Sequence, residues 1–307
     1  MAADQAREVL AVRYGYRVTS RAESYLNFGL YGEPDADLDI DYYFWVIRDS
    51  AGVFLVDTGF APEVGDRRRR RHFTTPAQLL PRLGVDPAEV TAIVITHAHW
   101  DHIGNVRQFP NAQVVMTEAE YVFWTSPLAG RRHFAEHSEP DELALLRDKR
   151  ADGTLSLFTG QATLAAGIEL IEVGGHTPGQ LVVSVGTARG RTAVLASDAL
   201  HFYEEVERDR PFAVVADLPA MYRAYDTLAQ LDRQPGTDLV AGHDPLVRAR
   251  FAGYAEPAPA PAPAPPAPAA SPRPQPPAGP QDRPGPQNAP EPPATVVVTD
   301  LSKPQPR

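Results

Sequence analysis

The chain has 307 residues, 29 Lys+Arg against 39 Asp+Glu, 32 prolines and no cysteine. Zero cysteine excludes disulfides, thiolate metal sites, Fe–S clusters and a cysteine nucleophile, and a net charge of -10 argues against a nucleic-acid partner, which needs a basic face. No apolar run is long enough to span a bilayer and MAADQAREVLAVRYGYRV lacks a basic-then-apolar leader, so a soluble cytoplasmic protein is expected.

Short apolar runs rich in β-branched residues and bounded by Gly, Asp or Thr read as strands. In chain order, residues 53–56 form a strand before Asp57-Thr58-Gly59, 76–83 a helix in front of Gly84, and 92–95 a strand before Thr96-His97. A strand at 114–116 leads into a helix at 118–124 with Thr117 as N-cap, and a longer helix follows at 139–149. Strands at 168–173, 181–185 and 192–196 come next, then a helix at 218–231 and a strand at 239–241. Consecutive strands mixed with intervening helices imply a layered α/β architecture, with residues 1–254 as one domain. Residues 255–307 hold 19 of the 32 prolines and four acids against four bases. Proline lacks the amide donor and fixes φ, so this Pro/Ala-rich stretch is expected to be a disordered, extended tail. Its PxxP spacing and the Thr295-Val296-Val297-Val298 segment offer a docking peptide as the alternative.

The chemistry sits in the histidines: His72, His97, His99, His102, His133, His137, His176, His201 and His243. Three fall in His97-Ala98-His99-Trp100-Asp101-His102, directly after an apolar strand. His176 and His243 each stand behind a glycine just past another strand, and Asp198 ends a further one. Imidazole and carboxylate suit zinc and other borderline divalent ions. His97 and His99, two apart at a strand end, can share one ion, while Asp101 and His102 reach a second. His176 and His243 then supply a third ligand to each, and Asp198 can bridge the pair. Three or four protein ligands leave a position for water, which marks a catalytic rather than a structural site. A lone histidine at a strand end is usually a hydrogen-bonded structural residue. Three imidazoles and a carboxylate crowded on one loop are costly without a cation.

HAHWDH, with the later GGHTPGQ, SDA and GHDP segments, resembles the metallo-β-lactamase superfamily over about residues 40–250. The resemblance implies an αββα sandwich, two mixed sheets face to face with helices outside and the metals at one sheet edge. Carried over by position, His97, His99 and His176 hold one metal, Asp101, His102 and His243 the second, and Asp198 bridges them. Asp57 of the VDTG element supports the ligand loop from behind. Two divalent ions are the implied cofactors, zinc first, with iron, cobalt or manganese as alternatives. Within the superfamily, DYYFWVI, HWDHIGN, VGGHTPGQ and SDALHFYEEVERDRPF are most similar to the N-acyl-homoserine lactone lactonases. Those enzymes place a tyrosine three residues after the bridging aspartate, where its hydroxyl reaches the substrate carbonyl. Here His201 stands there, with Tyr203 two further on, and either is a candidate donor. The expected reaction opens a small-molecule lactone with metal-activated water. His201 or Tyr203 helps to hold the oxyanion, and Asp101 moves the proton.

Phe44, Trp45, Trp100, Phe123, Trp124 and Phe134 are candidate pocket walls, Trp100 first among them, although aromatics in such a domain are core before they are pocket. The basic run at 67–71 with His72 reads as a solvated loop rather than an anion site. There is no GxSxG elbow and no Walker loop. Three alternatives stay open. An ester or thioester hydrolase of the same fold is one, though glyoxalase-II-type thioesterases usually read HxHxDHxGG where this chain continues Ile103-Gly104-Asn105. A mononuclear iron dioxygenase keeps the same motif, and metal analysis separates it from a two-metal hydrolase. A binding protein without turnover is opposed by the complete ligand set.

Overall fold

The computed structural model describes residues 7–187, 190–251, 253–257 and 295–302. Within them the chain first lays down β1 (Glu8–Ser20), β2 (Asp37–Asp49), β3 (Gly52–Val56), β4 (Arg71–His72), β5 (Val90–Val94), β6 (Gln113–Thr117) and β7 (Leu155–Phe158). A second sheet takes β8 (Gln161–Ala165), β9 (Ile168–Glu172), β10 (Leu181–Gly186), β11 (Thr192–Leu195) and β12 (Thr237–Val240). β13 (Gly253–Pro257) and β14 (Thr295–Asp300) return to the first. The strand orders are β13-β14-β1-β2-β3-β5-β6-β7, with β4 paired to β1, and β12-β11-β10-β9-β8. Both sheets are mixed: β3, β5, β6 and β7 run parallel, as do β11 and β12, and the other pairs are antiparallel.

β2 shows how the layers arise. Tyr43, Trp45 and Ile47 enter the core shared with the second sheet, while Tyr42, Phe44 and Val46 enter the core beneath the helices. A strand buried on both faces carries no polar alternation, which is why this stretch reads as one apolar run. The inter-sheet core joins Ala11, Trp45, Phe54 and Val94 to Leu170, Val183 and Leu195, and helix Leu218–Asp232 packs onto it through Met221, Tyr225 and Leu228. The second core sets Val12, Phe44, Leu55 and Ile93 against Leu79, Trp124, Leu143 and Leu146 of the other helices. This is the αββα sandwich.

The helix expected at 76–83 is α only over Pro76–Leu79, behind a Thr75–Gln78 capping box, and becomes a 3-10 turn over Leu80–Leu83. Pro81 has no amide to continue the α ladder. Within the C-terminal stretch the structure adds a strand to the first sheet. β14 lies between β13 and β1, antiparallel to both, with Val298 opposite Val12 and Tyr254, and Val296 and Val298 are fully buried. The valines two apart share one face of a strand whose partner is this chain's own β1. The rest of the expected tail, 258–294 and 303–307, lies outside the described residues, and the PxxP spacing with it. Among the described residues no helix is long and apolar enough to cross a membrane.

The sandwich brings its strand ends to one edge. His97–His102 follow β5, His176 lies between β9 and β10, Asp198 follows β11 and His243 follows β12.

Candidate metal centre

Two clusters of ligand-type atoms form at that edge. His97, His99, His176 and Asp198 bring theirs within 4.8 Å of one another, as do Asp101, His102 and His243. Asp198 faces both. Its Oδ1 lies 3.2 Å from His102 Nε2 and 3.0 Å from His243 Nε2, and its Oδ2 lies 3.6 Å from His97 Nε2 and 3.3 Å from His176 Nε2. Every residue that the sequence nominated as a ligand is therefore in one place.

The rings are aimed from behind. His102 Nδ1 donates to Asp57 (2.8 Å), His176 Nδ1 to the Val214 carbonyl (2.8 Å) and His243 Nδ1 to the Asp41 carbonyl (2.8 Å). His97 Nδ1 meets Thr96 Oγ1 at 3.2 Å. Anchoring Nδ1 leaves Nε2 for the interior. Asp57 also accepts from the Thr96 amide and hydroxyl (2.9 and 2.8 Å), so one carboxylate steadies the whole loop. Asp57 and Ser197 both hold positive φ, 61° and 47°, a conformation costly for residues with a side chain and one that collects at functional sites. Gly242, beside His243, lies so close that a Cβ would collide with the Ser197 carbonyl, so only glycine lets the two ligand loops meet.

A further support was not visible in the sequence. Glu120, fully buried at the start of helix Glu118–Thr125, accepts from the Ala98 amide (2.8 Å), the Gly179 amide (2.9 Å) and Trp124 Nε1 (2.6 Å). It ties the His97–His99 loop to the loop that carries His176. Only long-range contacts reveal that role.

Electrostatics fit a cation. Burial holds His97, His99 and His176 well below the usual histidine range, with neighbouring imidazoles adding to it, so they are poised neutral as ligands must be. For His102 burial pushes the same way, and the carboxylates of Asp198, Asp57 and Asp101 outweigh it. Asp198 is itself held well below the usual carboxylate range: burial opposes this, and His102, His243 and His201 overcome it. The buried Nε2 atoms of His97 and His102 make no hydrogen bond, although each borders Asp198. Unpaired buried nitrogens turned toward a shared carboxylate are what a divalent ion between them satisfies. The donor set fits such ions.

His201 and Tyr203 part company. His201 is buried, with Nε2 3.0 Å from Asp198 Oδ2, Nδ1 3.4 Å from Glu205 and its ring stacked 3.8 Å from Phe212. A solvent-facing role is thus excluded. Tyr203 starts helix Tyr203–Glu207 and turns away: its hydroxyl donates to the Leu239 carbonyl (3.1 Å) beneath Arg250. The expectation of a substrate contact from Tyr203 is corrected.

A narrow cleft, with room for about one water, lies beside His99 and His176, lined by Phe123, Trp124, His133, Phe134, His137 and residues 214–216. Three of the expected wall aromatics line it. Phe44 and Trp45 belong to the two cores, and Trp100 is 7% exposed, wedged between Phe60 and Tyr42 with Arg68 4.9 Å over its ring.

The family model described as the metallo-beta-lactamase superfamily matches residues 41–243, and the chain belongs to that superfamily. An N-acyl homoserine lactonase of a Bacillus species is 25% identical over 194 residues, 59% of this chain and 72% of that protein. The N-acyl homoserine lactonase AttM of Agrobacterium fabrum (strain C58) is 26% identical over 232 residues, 70% of this chain and 86% of its own length. Among solved structures, a quorum-quenching N-acyl homoserine lactone lactonase superposes with a TM-score of 0.66 at 19% identity, covering 80% of this chain and 95% of the other. AidC, described as a dizinc quorum-quenching lactonase, gives 0.62 at 22% identity, covering 78% and 88%. The structural likenesses are to the fold.

Proposed function

We propose that this chain is a metal-dependent hydrolase that opens lactone rings, of the N-acyl-homoserine lactone class, with two divalent ions, zinc first among the choices. The observation that carries the reading is Asp198, whose two oxygens face two separate histidine clusters. His97, His99 and His176 would hold one ion and Asp101, His102 and His243 the other, with Asp198 shared. What such a pair supplies when bound is Lewis acidity, lowering the pKa of a shared water to about 7 and drawing off charge that builds on an attacked carbonyl. His201, braced by Glu205 and Phe212, borders Asp198 and takes the place of the donor to the carbonyl oxygen. Asp101, at the partly exposed rim, carries the proton to the departing alkoxide. The apolar walls Phe123, Trp124 and Phe134 beside His99 and His176 mark the side from which an acyl chain would approach.

The test is lactone opening by metal-analysed protein given N-hexanoyl homoserine lactone, with a chelated control. Chelator-sensitive gain of one water by the product mass is expected, with two ions per chain. Two ions and no opening would move the substrate to another ester. One iron per chain would replace hydrolysis with oxidation.

A further inference from the structure

Resting on the metal-dependent hydrolase part of that reading and departing from its uncharged lactone, we propose that Arg17 and Arg70 form an anion subsite on the face of the metal centre beside Asp101 and His243. The substrate would then carry a carboxylate or phosphate on its alcohol half.

The placement follows from β1 and β2. Arg17 stands opposite Ile40 and Gly15 opposite Tyr42, so on this pleat Arg17 and Tyr42 share a face. The Tyr42 ring packs edge-on to His243, with centroids 5.4 Å apart, and lies 6.1 Å from Trp100, the residue before Asp101. Arg70, just ahead of β4, lies 5.8 Å over the same Trp100 ring. Tyr42 thus touches the metal centre, and the antiparallel register of β1 and β4, with Gly15 opposite His72 and Tyr16 opposite Arg71, brings Arg70 beside Arg17 on the same side.

The two guanidinium groups are under-compensated. Arg67 and Arg68, from the same basic run, both close on Glu139, at 2.6 and 2.9 Å. Arg70 donates instead to the Arg68 carbonyl (2.7 Å), its Nε is buried without a partner, and among the described residues no carboxylate pairs with it. Arg17 donates to Thr19 (2.7 Å) and reaches Glu23 (3.2 Å), a half-exposed acid. Burial first, and then the charge of Arg70, lower the pKa of Arg17. Asp101, the residue after the Trp100 ring that Arg70 overlies, makes no ion pair with either arginine among the described residues and is committed to a metal by the reading above. Two partly buried cations held within mutual repulsion are stabilised by an anion between them, and the arginine fork matches carboxylate and phosphate.

The face also says which half of the substrate is charged. The apolar walls Phe123, Trp124 and Phe134 lie beside His99 and His176 on the acyl side, whereas Asp101, proposed to protonate the departing alkoxide, directly follows Trp100, whose ring Arg70 overlies at 5.8 Å. A simple acyl-homoserine lactone lacks that charge and would be the poorer substrate.

Metal-loaded protein is given the hexanoyl esters of γ-hydroxybutyrate and of γ-hydroxybutyramide, alike except for charge. The anionic ester is expected to show a kcat/KM about tenfold higher, carried by KM, and ionic strength near about 0.5 M narrows the ratio. Arg70→Gln brings the ratio near one, and Arg70→Lys restores part of it. Equal kcat/KM for the two esters in the unaltered protein, or a ratio that neither Arg70→Gln nor Arg17→Gln changes, overturns the subsite and leaves the hydrolase standing. Calorimetric binding of glutarate needs no turnover. Binding weakened about tenfold by Arg70→Gln upholds the subsite even if no ester is cleaved, and binding indifferent to both substitutions overturns it.

Discussion

Asp198 borders five imidazoles, those of His97, His102, His176, His201 and His243, and the buried histidines with shifted pKa values set how the protein responds to pH. Burial holds His97, His99 and His176 neutral where an unfolded chain, with histidines near pH ~6.5, takes up protons. Their contribution is present above that value and lost as pH falls below it. His102 and His201 run the other way. Burial opposes them, but Asp198 with Asp57 raises His102, and Asp198 with Glu205 raises His201 to about 9. That contribution is full below pH ~6.5 and lost as pH rises through the folded values. Chelator-treated protein is therefore expected to unfold at the highest denaturant concentration near pH ~6.5, with the midpoint falling on both sides. A midpoint that climbs steadily toward alkaline pH contradicts the assignment. Asp101→Asn keeps the shape and the backbone carbonyl that accepts from Tyr14 (3.1 Å), so kcat should fall about 10²–10⁴-fold while the unfolding midpoint holds. The ligand loop was legible in the sequence because HxHxDH is local and stands at a strand end. Tyr203 was misread because proximity in sequence to His201 says nothing of direction: two residues on, a helix begins and turns the phenol inward.

Helix Glu118–Thr125 does more than cover the sheet. Through Glu120 it gives one acceptor to donors on two ligand loops and to its own Trp124, and all three bonds are buried. Glu120→Ala strands those donors, and a loss of roughly 3 kcal/mol or more is expected by urea unfolding. Metal affinity, read by competition with a chromophoric chelator, should weaken about 10- to 100-fold. Retained affinity with only a stability loss would separate the helix from the metal loops. The strand and helix that flank Thr117 were legible from a β-branched run ending in an N-cap residue. β1 and β2 were not, because neither alternates cleanly: β2 is buried on both faces, and β1 changes register between Arg13 and Gly15. The anchoring of Glu120 is a meeting of distant segments, for which one sequence carries no local signal.

At the scale of the whole molecule, the first sheet is completed by a strand from the far end of the chain. β14 covers the edge of β1 that would otherwise stand open and buries Val296 and Val298. Removing residues 295–307 is expected to cost about 3–6 kcal/mol for the two valines alone and to leave a pairing-competent edge. Denaturant unfolding and light scattering check both effects, and an unchanged midpoint would mean that β14 adds nothing. Proline density decided the reading of this stretch, since the composition of 255–307 outweighed the short β-branched run at 295–299 within it, which was read at most as a strand for a partner. β13 and β14 are neighbours in the sheet although residues 258–294 separate them in the chain. The covalent link therefore acts as a tether that keeps β14 at a high effective concentration beside β1. Changing the tether's length alters that concentration only slowly, by about 0.6 kcal/mol per doubling. A single proteolytic cut between 258 and 294 changes the order of the reaction instead: closure of the sheet becomes bimolecular, and dilution alone can open it.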